Sequence, residues 1–413
     1  MLRVHVQRQA AWESRLMYVR VDFEGGAQDT CPIEVQFEVS VDSTIESLGS
    51  TLNVNIPGNI IQPGVGYKVS LREADDGGHG GDGANAIWPA SGSAPFDAWD
   101  SGGPLKIVIV PVRYNADGSG RLPELGEAQI QMYEDLFYGT HPVPGVDIEV
   151  LGPVDWNQSV GAYGQGWDTL LNAVTQVRSQ NGAAPNEYYF GSFAPADSFA
   201  AFCGGGCVAG LCNLVEQPSM SQGRACIGLG FAGQQAAETM IHEVGHAHGR
   251  WHSPSGGAMQ VDPAYPYPGG FIGEYGYDLF SDSLKAPDQF YDFMGYASPT
   301  WVSDYTYEAL FDRILAVNAM ADMILPPGFQ EWWPTIAIGI DGTVSAGPTL
   351  RLHAPPAGRE TDVAFIDAGG KIVGSATGYY MRYDHFDAGL VLYPEPSPDT
   401  AAVRIPGFEA IGI

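Results

Sequence analysis

Apolar residues recur at every second position in three early stretches, Val19-Val21-Phe23, Ile33-Val35-Phe37-Val39 and Val65-Tyr67-Val69-Leu71. That period puts alternate side chains on one face of a strand. Pro57-Gly58 and Pro63-Gly64 mark turns between such strands. Residues 1–100 are therefore expected to form an N-terminal β-rich domain. The Gly/Asp-rich segment Glu73 to Ser93, with its densest run at 75–83, is expected to lack regular structure and to be a linker. A calcium loop is the alternative there, but the run lacks the fixed ligand spacing of an EF-hand.

The pattern changes after residue 104. Leu105 to Val112 is a near-continuous apolar run, the mark of a strand buried on both faces. Pro123 stands where a helix is expected to start, with Ile130, Tyr133, Leu136 and Phe137 at helical spacing. Val146-Ile148-Val150 alternates as a strand with one wet face. Trp167, Leu170, Leu171, Val174 and Val177 predict a second helix, which Gly182 can cap. Glu187 to Phe193 reads as a further strand, and strands alternating with helices indicate an α/β layer. The small-residue run Gly223 to Gly230 reads as an edge strand lining a cleft, so Arg224, Ala225, Cys226, Ile227 and Gly228 are expected to offer backbone to an extended peptide. A helix follows from about Gln234 to His248, with Ala237, Met240, Ile241 and Val244 facing the core. The last helix is expected to be capped by Ser303 and to bury Leu310, Phe311, Ile314, Leu315 and Val317. Residues 327–413 return to short alternating strands, with hairpin turns at Asp341-Gly342 and Asp367-Ala368-Gly369-Gly370. They predict a C-terminal β-sandwich domain.

Composition narrows the classes of partner. The formal charge of −29 comes from 48 acidic against 19 basic residues, and such a surface repels nucleic acid and anionic membranes. No run of about 18 apolar residues occurs, so no membrane span is expected. The first residues, Met1 to Arg8, alternate like a strand and lack the apolar core of a secretory signal. An exported form is then expected to be a processed one, with Met1 added, and to act as a monomer. Cys203, Cys207, Cys212 and Cys226 cluster in a Gly-rich stretch and read as two disulfides, in any of three pairings. A second, structural zinc is the rival, though the cluster has no C-x-x-C knuckle. Disulfides imply an oxidising compartment, hence secretion. Cys31, far from the others, is expected to be an unpaired buried thiol.

The chemistry concentrates in Ile241-His242-Glu243-Val244-Gly245-His246-Ala247-His248-Gly249-Arg250-Trp251-His252. This is H-E-x-x-H-x-x-G-x-x-H with every fixed position filled, a match expected by composition alone on the order of 10⁻⁵ to 10⁻⁴ times. His242 and His246 sit one helical turn apart and project from one face. Gly249 can take the left-handed conformation that stops the helix and lets His252 swing back as a third ligand. Three imidazoles suit one zinc ion and leave a fourth corner for water, beside which Glu243 is placed as general base. His248 points about 200° round from His246 and is expected to face away from the metal, towards groups that support the ligands or towards solvent. His141, His353 and His385 have no metal-like neighbours in sequence. Asp100-Ser101-Gly102-Gly103-Pro104 is similar to the nucleophile segment of trypsin-like serine proteases, but no histidine lies in the expected setting upstream. Ser101 reads as a residue of the domain junction.

Together with a second motif, Asp292-Phe293-Met294-Gly295-Tyr296, the zinc signature resembles that of the metzincin endopeptidases. The resemblance covers residues 104–326, about half the chain. It implies an α/β (α+β) catalytic domain with a mixed sheet and active-site helix, flanked by N-terminal and C-terminal all-β sandwich-like domains. It implies His242, His246 and His252 as ligands of one catalytic zinc, Glu243 as base and Met294 as an apolar floor. Tyr296 is implied as a residue that binds zinc at rest and stabilises the oxyanion. The pocket beyond the scissile bond is expected to run from Ala297 to Trp301. The domain plan also resembles that of secreted bacterial metzincins that cut mucin-type glycoproteins. The helix at 167–178 is extra to the minimal metzincin order. The competing reading is a non-catalytic zinc-containing binding or adhesin module that recognises glycoproteins through its β-domains. Glu243 and the open fourth corner argue against it.

Overall fold

The computed structural model describes residues 1–25, 31–74, 86–321 and 329–413. Of the segment 73–93, expected as an irregular linker, residues 75–85 lie outside them, and the expectation is corrected at Ile87–Trp88, which pairs as a short strand with Gly66–Glu73. The chain divides into two compact units, Met1–Asp100 with Tyr277–Ala286, and Ser101–Gly276 with Pro287–Ile413. Ser101 is buried, and its carbonyl accepts from Asn318 Nδ2 at 2.9 Å.

In the first unit, Ile33–Val39, Arg15–Glu24, Gly66–Glu73 and Ile87–Trp88 pair antiparallel in that order, with Ala94–Pro95 also on Gly66–Glu73. A two-stranded ribbon of Leu2–Val4 and Leu52–Val54 adds Leu52 and Val54 to the core made by Met17, Val19, Val21 and Val69. The alternation in the sequence is the alternation of faces. Cys31 is free but exposed, not buried: it sits one residue before Pro32, outside the strand that begins at Ile33.

The second unit is built on a mixed sheet. Its order is Val154–Trp156, Leu105–Tyr114, Glu187–Phe193, Ala225–Leu229 and Gly210–Cys212, with Val146–Val150 beside the first half of Leu105–Tyr114. All pairs are parallel except the last, where Gly210–Cys212 runs antiparallel to Ala225–Leu229. Ala225–Leu229 is therefore an interior strand. The expectation of an edge at 223–230 is corrected: small residues there allow close packing on both faces, and the edge is the three-residue strand Gly210–Cys212. Register decides the disulfides, too. Cys212 and Cys226 stand opposite one another in this pair and are bonded, and Cys203 is bonded to Cys207.

Among the described residues five α-helices accompany the sheet: α1 Glu127–Thr140, α2 Trp167–Gln180, α3 Phe199–Cys203, α4 Gln234–Ala247 and α5 Asp304–Met320. Helix α1 starts four residues later than Pro123 suggests, because the Glu124 amide donates to Gly230 O at 2.8 Å and holds that segment extended along the sheet. Gly126 takes the cap position. Helix α5 buries Thr306, Leu310, Ile314 and Val317, while Leu315, one residue round from the stripe, is 41% exposed. Its cap is as expected: Ser303 Oγ accepts from the Thr306 amide at 3.1 Å and donates to the buried carboxylate of Asp292. Ser303→Ala is expected to cost about 1–2 kcal/mol, read as a lower urea midpoint. An unchanged midpoint would mean that the cap contributes nothing.

Helices α1 and α4 cover one face of the sheet, with Phe293, Met294, Leu310 and Ile314. Helix α2 covers the other, and on it lies the C-terminal β region. That region is an antiparallel sheet of seven strands with a separate two-stranded ribbon, Trp332–Trp333 on Leu350–Arg351, not a two-sheet sandwich. The order is Val344–Ala346, Thr335–Ile338, Gly389–Leu392, Ile372–Arg382, Arg359–Ile366, Ala402–Arg404 and Ile411–Gly412. Its two edge strands approach within 8 Å, so the sheet curls nearly into a barrel. Alternation explains why one sheet suffices. Val391 points into the barrel with Ile336, Val363 and Val403, while Leu390 and Leu392 point out onto α2. Helix α2 fastens this sheet with side-chain acceptors: Asp168 Oδ2 takes the Ile340 amide at 3.0 Å, and Asn172 Oδ1 takes the Tyr383 hydroxyl at 2.8 Å. On its other side Thr175 Oγ1 accepts from Asn213 Nδ2 at 3.1 Å. The helix without a role in the sequence is thus the bracket between the central sheet and the C-terminal one.

Candidate active site

Helix α4 carries His242 and His246 on one face, and both are buried. At its end Gly249 has φ +81°. The chain turns there, and His252 comes back to join the pair, bridged to Val261. Each ring has its Nδ1 against a backbone carbonyl: His242 on Phe293 O at 2.7 Å, His246 on Arg250 O at 2.7 Å, and His252 on Met259 O at 2.6 Å. A carbonyl can only accept, so each Nδ1 holds the proton and each Nε2 is a bare lone pair. These lone pairs converge, with His246 Nε2 lying 3.2 Å from that of His242 and 3.1 Å from that of His252. Acceptors turned on one another in a buried site repel unless a cation lies between them. The donor set and its spacing fit a tetrahedral zinc ion.

Burial lowers the basicity of all three imidazoles, which keeps them neutral. The segment after α5's neighbour strand, Tyr291–Asp292, makes the floor. Asp292 Oδ1 accepts from the Met294 amide at 2.9 Å. Met294 is buried so closely on α4 that a Cβ on Gly245 would stand 2.3 Å from its sulfur. Tyr296 lies at the rim, with its hydroxyl 3.2 Å from His252 Nε2.

Glu243 is buried on the side of the edge strand. A Cβ on Gly210 would meet its carboxylate at 2.2 Å, so only glycine lets that strand pass. Burial, and then the carboxylate of Asp384, push the Glu243 carboxyl well above its ordinary range. Asp384 and His385 were not anticipated. The expectation that His385 has no metal-like neighbours is corrected: it joins His242, His246 and His252 in one group whose ligand atoms all lie within 4.8 Å of one another. It arrives on the turn between Ile372–Arg382 and Gly389–Leu392. Burial pulls His385 down, but Asp384 and Glu243 outweigh that and raise it to about 10. No sequence signal marks this turn, because what brings it to the site is the packing of the C-terminal sheet on α2.

His248 faces away from the cluster as expected, but into the core rather than solvent: it is buried, stacked on Tyr188 with ring centres 4.3 Å apart. A cleft of about 590 Å³ opens above the histidines. Val208, Ala209 and Gly210 form one wall, and Gly295, Ala297 and Ser298 another. The substrate-binding expectation is corrected accordingly. Arg224, Ala225, Cys226, Ile227 and Gly228 are all buried within the sheet, and Arg224 is spent on the carbonyls of Pro185 and Pro218. Trp301 is also buried, its ring beside Gly139, and takes no part in the cleft wall.

Residues 155–290 match the Peptidase M66 family, a span that holds α4 and all three converging histidines but stops short of Met294, Tyr296 and His385. No curated protein matches the chain. Among the described residues no helix is long and apolar enough to cross a membrane. With that match lying over a buried histidine cluster built for a metal, the chain carries a segment similar to the Peptidase M66 family, and that segment is a metallopeptidase of the metzincin type.

Proposed function

We propose that the chain is a secreted zinc endopeptidase that hydrolyses peptide bonds within proteins, with mucin-type glycoproteins as its substrate class. One observation carries the reading: three buried imidazoles turn unprotonated Nε2 atoms towards one point at the floor of a cleft. His242, His246 and His252 would hold the zinc ion, with Met294 beneath them. When bound, zinc supplies Lewis acidity to the scissile carbonyl and brings the pKa of a water towards about 7.

The chain's own groups do the rest. Glu243 accepts a proton from the attacking water as the new C–O bond forms. It returns that proton to the amide nitrogen as the C–N bond breaks, so the carboxylate ends the cycle as it began. Tyr296, at the rim beside His252, is set to donate to the carbonyl oxygen as it gains charge. Two disulfides support action in an oxidising, extracellular setting. The glycoprotein class is supported by the β-rich regions that precede and follow the catalytic segment along the chain, as in the secreted metzincins that the domain plan resembles.

The purified chain is expected to hold one zinc ion and to cleave a mucin-type glycoprotein. 1,10-Phenanthroline is expected to abolish cleavage, and added zinc to restore it. Equal cleavage of mucin and of unglycosylated casein would reduce the reading to a general endopeptidase. Absence of chelator-sensitive cleavage of either would overturn it.

A further inference from the structure

The turn Tyr383–Ala388 comes up beside the histidine cluster, although it belongs to the C-terminal sheet. Asp384 is tied twice to the edge of the central sheet. The Cys212 amide donates to its Oδ1 at 2.5 Å, and its own amide donates to Cys212 O at 3.0 Å. Its Oδ2 lies 2.7 Å from His385 Nε2. The other nitrogen of that ring, Nδ1, lies 2.5 Å from the phenol oxygen of Tyr296, which in turn is 3.2 Å from His252 Nε2. Glu243 Oε1 is the remaining charged neighbour, 3.9 Å from His385 Nε2. His385 has φ 62°, a conformation that costs a non-glycine residue about 1–3 kcal/mol and persists only where its surroundings impose it.

We propose that Asp384 and His385 act on Tyr296: Asp384 orients His385, and His385 holds the phenol oxygen over the open side of the metal centre. This rests on the endopeptidase reading above. The geometry separates His385 from the three ligands. Each of those has one nitrogen on a carbonyl and the other bare, whereas both nitrogens of His385 are engaged, one by a carboxylate and one by a phenol. Among the described residues the phenol oxygen has only His252 and His385 as polar partners. Once His252 Nε2 is given to zinc, His385 is the partner that remains. Whichever end of the Tyr296–His385 bond holds the proton, the oxygen is fixed in place. His385 is thus a positioning residue, supplied by a part of the chain that carries none of the zinc signature.

A double-mutant cycle tests this. Tyr296→Phe and His385→Ala are each expected to lower kcat about 10- to 100-fold with KM within about threefold. The double variant is expected to be no slower than Tyr296→Phe. His385→Gln, whose amide can still bridge the two partners, is expected to recover part of the loss. In cobalt-substituted protein, which needs no substrate, both single variants are expected to change the visible spectrum in the same way. Competition with a chelator is expected to show zinc held as tightly by His385→Ala as by the wild type. Losses that multiply in the double variant would mean that His385 works independently of Tyr296 and would overturn the proposal. Tenfold easier zinc release from His385→Ala would make it a fourth ligand and also overturn it. A wild-type protein without zinc-dependent cleavage defeats the endopeptidase reading instead, and the cobalt spectra still report on the Tyr296–His385 link.

Discussion

Glu243→Ala is expected to lower kcat by about 10³- to 10⁴-fold while leaving one zinc ion bound. The effect on rate is large because among the described residues no other carboxylate stands ready to take the proton. Asp384, the nearest, already accepts from the Cys212 amide and is 2.7 Å from His385. Zinc should stay because Glu243 is not among the converging nitrogens. The effect on stability should be small or favourable. Glu243 and Asp384 are two buried carboxyls in one group of ligand atoms, and burial and repulsion from Asp384 raise the cost of ionising Glu243. Removing one relieves that repulsion, so the variant is expected to melt at or above the wild-type temperature. Rate, zinc content and melting temperature are read on the same preparation. Cleavage at the normal rate would show that the proton goes elsewhere.

Gly249→Ala is expected to injure both stability and metal binding. At φ +81° an alanine costs about 1–2 kcal/mol, and its Cβ would stand 2.6 Å from Val215 O and 2.5 Å from the Arg313 guanidinium. Neither can yield cheaply, since Arg313 donates to the carbonyls of Val215 and Glu216. The turn is also tied to the converging histidines: the Gly249 amide donates to His246 O at 2.8 Å, and Arg250 O receives His246 Nδ1. A shift at residue 249 therefore moves the partner of one histidine and the approach of another. A loss of about 3 kcal/mol or more is expected in urea unfolding of the metal-free protein, with zinc held at least about tenfold more weakly. If stability fell while zinc affinity held, the turn would be a matter of folding alone and not of placing His252.

What could be read from sequence was what depends on neighbours along the chain. His242 and His246 meet because a helix repeats, Gly249 turns because only glycine turns there cheaply, and Ser303 caps because its hydroxyl reaches the next amides. The alternating strands of the first unit were legible for the same reason. What failed depends on partners distant in sequence. Ala225–Leu229 looks like an edge by composition, yet its place in the sheet is set by Glu187–Phe193 on one side and Gly210–Cys212 on the other. The pairing of Cys212 with Cys226 follows from that register and from nothing in the spacing. Asp384 and His385 were invisible because they reach the cluster only after Leu390, Leu392 and Tyr383 have packed on α2.

The bracket formed by α2 also has a consequence in time. Chains emerge from the ribosome N-terminus first, and Asp384 follows His252 by 132 residues (384 − 252). A growing chain that has already made its zinc signature still lacks the turn that faces Tyr296, and the strand Gly389–Leu392 that seats this turn comes later still. On the proposal above, the partly made protein holds its metal site without the groups that aim its phenol. The capacity to cut proteins then waits on the sheet that holds Asp384 and His385, which is made after the zinc signature.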